Sequence, residues 1–174
     1  MGMTPDQFFI TFVRGNYFEF EDNPDVRRGF NAAVAASQMA DHYYNYYEKH
    51  DHAKVCRFRN LTGYCRYVSR QTGGAFKDIR SIATAFKHLY TEPWATVDST
   101  GAIEAVSLTT TDIAEVAYRE NEASDRLTVV FTRKAGERFE LLPVLKKIVD
   151  FWSEEVYACD DDSSSSEETG KTPE

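Results

Sequence analysis

The hydrophobic pattern changes its period near Pro93, and this change limits the folds open to the chain. Up to residue 91, apolar residues recur every three or four positions, which is the spacing of one face of a helix. After Pro93, segments rich in Val, Ile and Thr alternate apolar and polar positions, which is typical of strands. The sequence therefore predicts an α+β fold, with an N-terminal helical bundle of about four helices, a small antiparallel sheet and a closing C-terminal helix.

The first half contains the signals of four helices. Thr4-Pro5-Asp6-Gln7 is a capping box with a proline in the first turn, so a helix is predicted to begin there and to end before Asn23-Pro24. The other three predicted helices span residues 24–49, 53–71 and 75–91, with a break of the third indicated at 60–63. Helical spacing places these side chains in the core: Phe9, Phe12, Val13, Tyr17, Phe20, Val26, Phe30, Ala33, Ala36, Ala40, Tyr43, Tyr47, Phe58, Leu61, Cys65, Val68, Phe76, Ile79, Ala83, Phe86 and Tyr90.

The second half predicts a sheet followed by one helix. The predicted strands cover residues 103–109, 113–119 and 127–133, and a hairpin turn at 134–137 leads into a short strand at 138–142. Pro143 is expected to open the last helix, since proline is tolerated in a first turn. The inward side of that helix is predicted to consist of Leu145, Ile148, Val149, Trp152 and Val156.

The length of 174 residues fits one domain with an appendage. We predict a single globular α+β domain over residues 1–159, with its helical part at 4–91 and its sheet and last helix at 95–158. Residues 160–174 carry six acids and one lysine and little that can be buried, which predicts a disordered acidic tail. No apolar run is long enough to cross a bilayer, and the N-terminus lacks the features of a secretion signal. A cytoplasmic protein without a membrane partner is therefore expected.

A basic window stands out in a chain whose net charge is −8. Residues 54–90 hold eight lysines and arginines against the single acid Asp78, which gives a net charge of +7. Arginine suits phosphate recognition, but cations that merely solvate the surface or pair with carboxylates are an equally open interpretation. The predicted anion-binding residues are Arg59, Arg66, Arg70, Lys77 and Lys87.

Helical geometry arranges these cations on two faces. At about 100° per residue, Arg59, Arg66 and Arg70 fall within about 40° of one another on the third predicted helix. Tyr64 and Tyr67 lie nearby, where aromatic rings could stack on bases. On the fourth predicted helix, Lys77, Ser81, Thr84 and His88 are expected on the side away from the core.

An arginine and a histidine share the fourth predicted helix, as Arg80-Ser81 followed by His88. This pattern resembles the motif helix of the HEPN superfamily, which contains four-helix-bundle proteins common in prokaryotic toxin and defence systems. In that family an arginine precedes a histidine by five to seven positions, and the pair cleaves RNA without metal. The resemblance covers residues 4–91. It implies that Arg80 and His88 are the catalytic residues of a metal-independent endoribonuclease and that the protein is a defence or toxin–antitoxin component.

The spacing of this pair departs from the family pattern, because Arg80 and His88 are eight residues apart. Their side chains then lie about 80° apart around the helix and about 12 Å apart along it, which hinders action on one phosphate. A histidine near a helix C-terminus also interacts favourably with the helix dipole, without any catalytic role. The Lys87-His88-Leu89 sequence resembles, in addition, the helix end of small prokaryotic proteins of unknown function.

Other chemistry finds little support in the sequence. His50, His52, Cys56 and Cys65 lack the paired spacing of a zinc site, so neither a metal nor a cofactor is predicted. Asp41-His42 are adjacent, and neighbouring helical residues point in different directions, which disfavours an acid–base pair. Neither a phosphate-binding glycine loop nor a Gly-x-Ser-x-Gly nucleophile turn occurs.

Two function classes follow. The first is a HEPN-like protein that binds a polyanion, either RNA or a nucleotide, through its basic helices, with RNA cleavage left open. The second is a non-enzymatic protein–protein interaction module. Because one helical face cannot bury Tyr43, Tyr44, Tyr46 and Tyr47 together, the sequence also predicts a homodimer that covers the remaining aromatic surface.

Overall fold

The computed structural model describes residues 2–88, 93–108 and 126–157. These residues form an α+β fold, as predicted, in which a long helix contacts the other helices and a three-stranded antiparallel sheet packs on one side. The predicted strand at 113–119 and the tail at 160–174 lie outside the described residues. The regular elements are α1 (Pro5–Phe8), α2 (Gly15–Asp22), α3 (Val26–His50), α4 (Leu61–Gln71), α5 (Ala75–His88), β1 (Ile103–Leu108), β2 (Arg126–Thr132), β3 (Arg138–Glu140) and α6 (Leu141–Tyr157).

The first helix begins at the predicted capping box. The backbone N–H of Gln7 donates to the Thr4 side chain, and the Gln7 side chain accepts from the Thr4 backbone at 3.1 Å. A π-helical segment, Phe9–Arg14, joins α1 to α2. Its wider turn changes the buried face, so Phe12 is 42% exposed and its predicted core position was wrong. The other predicted core residues of this helix, Phe9, Val13, Tyr17 and Phe20, are buried.

Helix α3 forms the centre of the bundle because small residues let its neighbours approach closely. Ala32, Ala33 and Ala36 are buried along it. At Gly29 the packing is tightest, since a Cβ added there would lie 2.9 Å from Cδ2 of Leu141 and 3.1 Å from the Phe20 ring. Helices α2 and α6 therefore both pack on the start of α3.

The four tyrosines of α3 are better buried than their spacing suggested. Tyr43 and Tyr44 are buried among the rings of α4 and α6, with Tyr43 stacked on Tyr64 at 5.7 Å. Tyr46 and Tyr47 are half-buried and pack against each other at 5.2 Å. Helices α4 and α6 thus cover two of the four rings, and the homodimer predicted from these tyrosines stays a prediction.

The third predicted helix is shorter than expected and breaks where the sequence indicated. Asn60 is the N-cap of α4, and its side chain accepts from the backbone N–H of Gly63 at 2.9 Å. Arg59 therefore precedes the helix, and its place on a helical stripe with Arg66 and Arg70 was wrong. Helix α4 ends before Gly73 and Gly74, which adopt positive φ values of 59° and 89° and turn the chain into α5.

The side of α5 that was predicted to face solvent is partly covered by other residues. Ser81 is fully buried, and its hydroxyl donates to the Lys77 carbonyl at 2.7 Å while accepting from the backbone N–H of Thr96 at 2.9 Å. Val97 is buried as well, so the segment after Pro93 lies against α5. The exposed placement of Ser81 was wrong, since a connection distant in sequence covers that side of the helix.

The sheet is a meander in the order β1-β2-β3, with Ile103 opposite Phe131 and Val130 opposite Glu140. The predicted hairpin turn is confirmed, and Gly136 takes the positive φ of 87° that it needs. The last helix starts at Leu141 rather than Pro143, because proline is tolerated throughout a first turn, whose N–H groups have no helical partner. Its predicted inward residues Leu145, Ile148, Val149 and Trp152 are buried, and Val156 is half-buried.

Candidate functional site

The predicted anion-binding residues are all exposed. Arg66 and Arg70 lie on α4, and Lys77 and Lys87 lie on α5, while Arg59 precedes α4. Within the described ranges none of the five forms an ion pair with a carboxylate, although six ion pairs form elsewhere. We call Arg59, Arg66, Arg70, Lys77 and Lys87 the basic surface.

The one acid of the basic window does not neutralise this surface. Asp78 is 1% exposed and pairs with Arg133, which follows β2. A cation from outside the window therefore compensates its charge, and the basic surface keeps its own. A field of this sign attracts polyanions from solution.

The tyrosines near the basic surface differ in their access to a ligand. Tyr64 is buried in the aromatic core, so its predicted stacking on a base was wrong. Burial raises the pKa of its hydroxyl strongly, with smaller contributions from Tyr43 and Glu155. Tyr67 is half-buried, donates to Glu155 at 3.3 Å and has the Arg57 guanidinium carbon 4.6 Å from its ring centre. Its hydroxyl is thus bonded to α6, and one face of its ring already contacts a cation.

Arg80 and His88 occupy different environments. Arg80 is half-buried, with its guanidinium carbon 5.9 Å from the centre of the Phe76 ring. It lines a cleft between α3 and α5, whereas His88 is exposed in the last turn of α5 and does not line that cleft. A side chain in a helix leans toward the N-terminus, which carries the Arg80 guanidinium further from His88.

The cleft that Arg80 lines has a volume of about 370 Å³, within the range of small-molecule sites. We call it the α3–α5 cleft. One wall comes from α5 and the other from α3, and the Phe30 and Phe86 rings close the gap between the two helices at 4.4 Å. Its lining consists of Phe30, Val34, Ser37, Gln38, Asp41, Arg80, Ala83, Thr84 and Lys87.

Asp41 is the unusual group of this cleft. Its Oδ1 atom is buried and has no hydrogen-bond partner among the described residues. Burial raises the pKa of its carboxyl, and the positive charge of Arg80 acts in the opposite direction. No ion pair of the described residues includes Asp41, so Arg80 lies near enough to influence it but does not satisfy it.

In the middle of the cleft, two side-chain hydroxyls already donate their hydrogens to backbone carbonyls. The Ser37 hydroxyl donates to the Val34 carbonyl at 2.9 Å, and the Thr84 hydroxyl donates to the Arg80 carbonyl at 2.7 Å. Only the lone pairs of these oxygens are left for a ligand. The cleft therefore combines three acceptor groups with the cationic side chains of Arg80 and Lys87.

The other candidates considered from the sequence do not line this cleft. His42 has other partners than Asp41, since its Nε2 donates to the Met3 carbonyl at 2.9 Å and its ring stacks on Phe8 at 4.6 Å. Cys56 is exposed and Cys65 is buried. Burial raises the pKa of the Cys65 thiol, while the positive charge of Arg80 and a hydrogen bond with its side chain act in the opposite direction, so Cys65 lies behind the Arg80 end of the cleft. In the part of the chain that the structure describes, no three His, Cys, Asp or Glu side chains form a metal-binding group.

Asp41 was considered from the sequence only as a partner of His42, so its place in the cleft was not predicted. Helical periodicity carried no signal for it, because Asp41 lies about 100° around the helix from Ala40, the residue of the small-residue face that is nearest in sequence. Its neighbour Arg80 could not be paired with it from sequence, because the contact depends on how α3 and α5 cross.

Comparison of the chain with protein-family models, with curated proteins and with solved structures finds no match. No helix in residues 2–88, 93–108 or 126–157 is long and apolar enough to span a membrane. The candidate site therefore consists of the basic surface and the α3–α5 cleft, which share Lys87.

Proposed function

We propose that the protein binds RNA through the basic surface. The supporting observation is that its five cations are exposed and unpaired with carboxylates in the described residues, while the only acid of the basic window pairs with Arg133. Unpaired arginines and lysines release the counterions of a nucleic acid when they contact its phosphates. This release makes the affinity fall steeply as salt rises.

The test is the affinity of the full chain for a short labelled single-stranded RNA, measured by fluorescence anisotropy over a series of salt concentrations. Replacement of Arg66 and Arg70 by alanine should weaken binding several-fold. It should also lower the slope of log affinity against log salt by about one to two, since each lost phosphate contact lowers it by about 0.7 to 1.

A matched control distinguishes RNA binding at the basic surface from a nonspecific effect of the net charge. Arg27→Ala with Arg138→Ala also removes two exposed arginines, but these lie at the start of α3 and on β3. The control should keep most of the affinity of the unmodified protein. A salt-independent interaction, or none, in the unmodified protein would reject the proposal.

The HEPN-like hypothesis adds catalysis to this binding function. It is supported by the helical bundle and by the presence of Arg80 and His88 on one helix, α5. The separate environments of the two side chains favour binding over cleavage. A defence or toxin–antitoxin role stays a prediction of the resemblance.

A second candidate function is protein–protein interaction, and a specific observation supports it. Ile10, Phe12 and Phe18 are each more than 40% exposed on the first helical stretch. Several exposed large apolar side chains within a short stretch of chain favour a partner surface. Under this alternative, association would depend on these residues and respond little to salt.

A further inference from the structure

The charged groups of the α3–α5 cleft lie at its two ends. Arg80 and Asp41 lie at one end, and Lys87 lies at the other, next to the Phe30–Phe86 pair. Seven residues of helix separate Arg80 from Lys87, which is about 10 Å along the axis. The cleft therefore fits a ligand with two polar ends about that far apart.

The Arg80 end offers hydrogen-bond donors beside an acceptor. The guanidinium of Arg80 carries five N–H donors in a plane, and its side chain is hydrogen-bonded to the Cys65 thiol, so the remaining donors are left for a ligand. The buried Oδ1 of Asp41 is an acceptor without a partner in the described structure. A matching ligand group must carry an acceptor next to a donor. Nucleobase edges have this arrangement, and guanine is the clearest case, with its O6 acceptor beside N–H donors.

The rest of the cleft complements the other parts of a nucleotide. The Ser37 and Thr84 oxygens present lone pairs, which suit the hydroxyl hydrogens of a ribose. The apolar side chains of Val34 and Ala83 line the walls between them. At the far end, the exposed ammonium of Lys87 is placed for a phosphate.

We propose that the α3–α5 cleft binds a nucleoside monophosphate, with the base edge on Arg80 and Asp41, the ribose hydroxyls on Ser37 and Thr84, and the phosphate on Lys87. This site goes beyond RNA binding by the basic surface and does not depend on it, although Lys87 belongs to both. The unpartnered acceptor of Asp41 is the feature that a bound base would satisfy.

The experiment is calorimetric titration of the full chain with GMP, AMP, CMP and UMP, and with guanosine. GMP is expected to bind. Asp41→Asn should weaken the binding of both GMP and guanosine about tenfold, the loss expected when a charged hydrogen-bond partner is removed. Lys87→Ala should weaken the binding of GMP about tenfold and leave the binding of guanosine unchanged, because only the phosphate reaches the Lys87 end of the cleft. Lys77→Ala is the matched control, since this exposed lysine of α5 does not line the cleft.

Two outcomes would overturn the proposal. One is the absence of binding by all four monophosphates at millimolar concentration, and the other is an unchanged GMP affinity in both folded variants. Arg66→Ala with Arg70→Ala distinguishes the two sites, since it should reduce RNA affinity and leave GMP affinity intact. A protein that binds GMP but not RNA would reject only the basic surface, and the reverse result would reject only the cleft.

Discussion

Arg133 donates two hydrogen bonds to the buried carboxylate of Asp78, from Nε at 3.1 Å and from Nη2 at 2.6 Å. The same guanidinium donates to Glu137 at 3.1 Å and lies 3.9 Å from the centre of the Phe139 ring. The hydrogen bond to Asp78 is the main reason that the pKa of Arg133 is raised. This contact fixes the β2–β3 hairpin to α5 and so joins the sheet to the helices.

Breaking this contact should destabilise the fold strongly. Arg133→Met leaves the Asp78 carboxylate buried without a cation, which typically costs about 3–5 kcal/mol. The measurement is chemical denaturation at neutral pH. Arg138→Met is the matched control, since Arg138 pairs with Glu104 at the exposed surface, and its loss should cost at most about 1 kcal/mol. Equal losses in the two variants would contradict the structural role of Arg133.

The close packing at Gly29 predicts that a change to alanine has opposite effects on stability at Gly29 and at Gly15. Gly29→Ala places a methyl group 2.9 Å from Leu141 and 3.1 Å from Phe20, both of which are fully buried and have little room to move. The cost of overpacking should exceed the gain from higher helix propensity, so the free energy of unfolding should fall by about 1 kcal/mol. Gly15→Ala meets no atom closer than 3.9 Å and should stabilise by up to about 1 kcal/mol. Thermal denaturation of both variants checks the sign.

The burial of Asp41 predicts a pH dependence of opposite sign to that of most carboxylates. Because burial raises its folded-state pKa above 3.8, the unfolded chain loses this proton first as pH rises. Asp41 therefore reduces stability above its raised pKa, and Asp41→Asn should increase the melting temperature at pH 7. The increase should shrink as pH falls toward 3.8. Glu19→Gln, on the exposed side of α2, is the matched control for the change of charge.

His88 should be dispensable for RNA binding. It is exposed in the last turn of α5 and does not line the α3–α5 cleft, so His88→Ala should leave the RNA affinity nearly unchanged. The measurement is the anisotropy titration used for the basic surface, with an RNA-integrity assay in the presence of a chelator. Metal-independent cleavage that disappears in a folded His88→Ala variant would favour the HEPN-like enzyme instead.

If the chain forms a homodimer, the exposed apolar side chains of the first helical stretch should carry it. Ile10 lies in the π-helical segment and Phe18 on α2, and both side chains are more than 40% exposed. Sedimentation at about tens of micromolar, an ordinary range for weak dimers, should show a dimer that Ile10→Ser with Phe18→Ser disrupts. Tyr46→Ser should keep it, since Tyr46 already packs on Tyr47 and His50. A monomeric unmodified chain would reject the dimer.

Local signals in the sequence were reliable, and contacts between distant segments were not. The Thr4 cap, the Asn60 break and the Gly136 turn each depend on a few neighbouring residues, so their positions could be predicted. The burial of Ser81 depends on Thr96, and the compensation of Asp78 depends on Arg133. Neither partner can be inferred from helical periodicity, because that pattern shows which side is apolar but not what covers the polar side.

The distance in sequence between Asp78 and Arg133 also matters while the chain is being made. Arg133 is added 55 residues after Asp78. At about 5–20 residues per second, synthesis needs roughly 3 to 11 s to cover that interval. During this time the Asp78 carboxylate has no cation to pair with, so its burial against the hairpin must wait until β2 and Arg133 have been made.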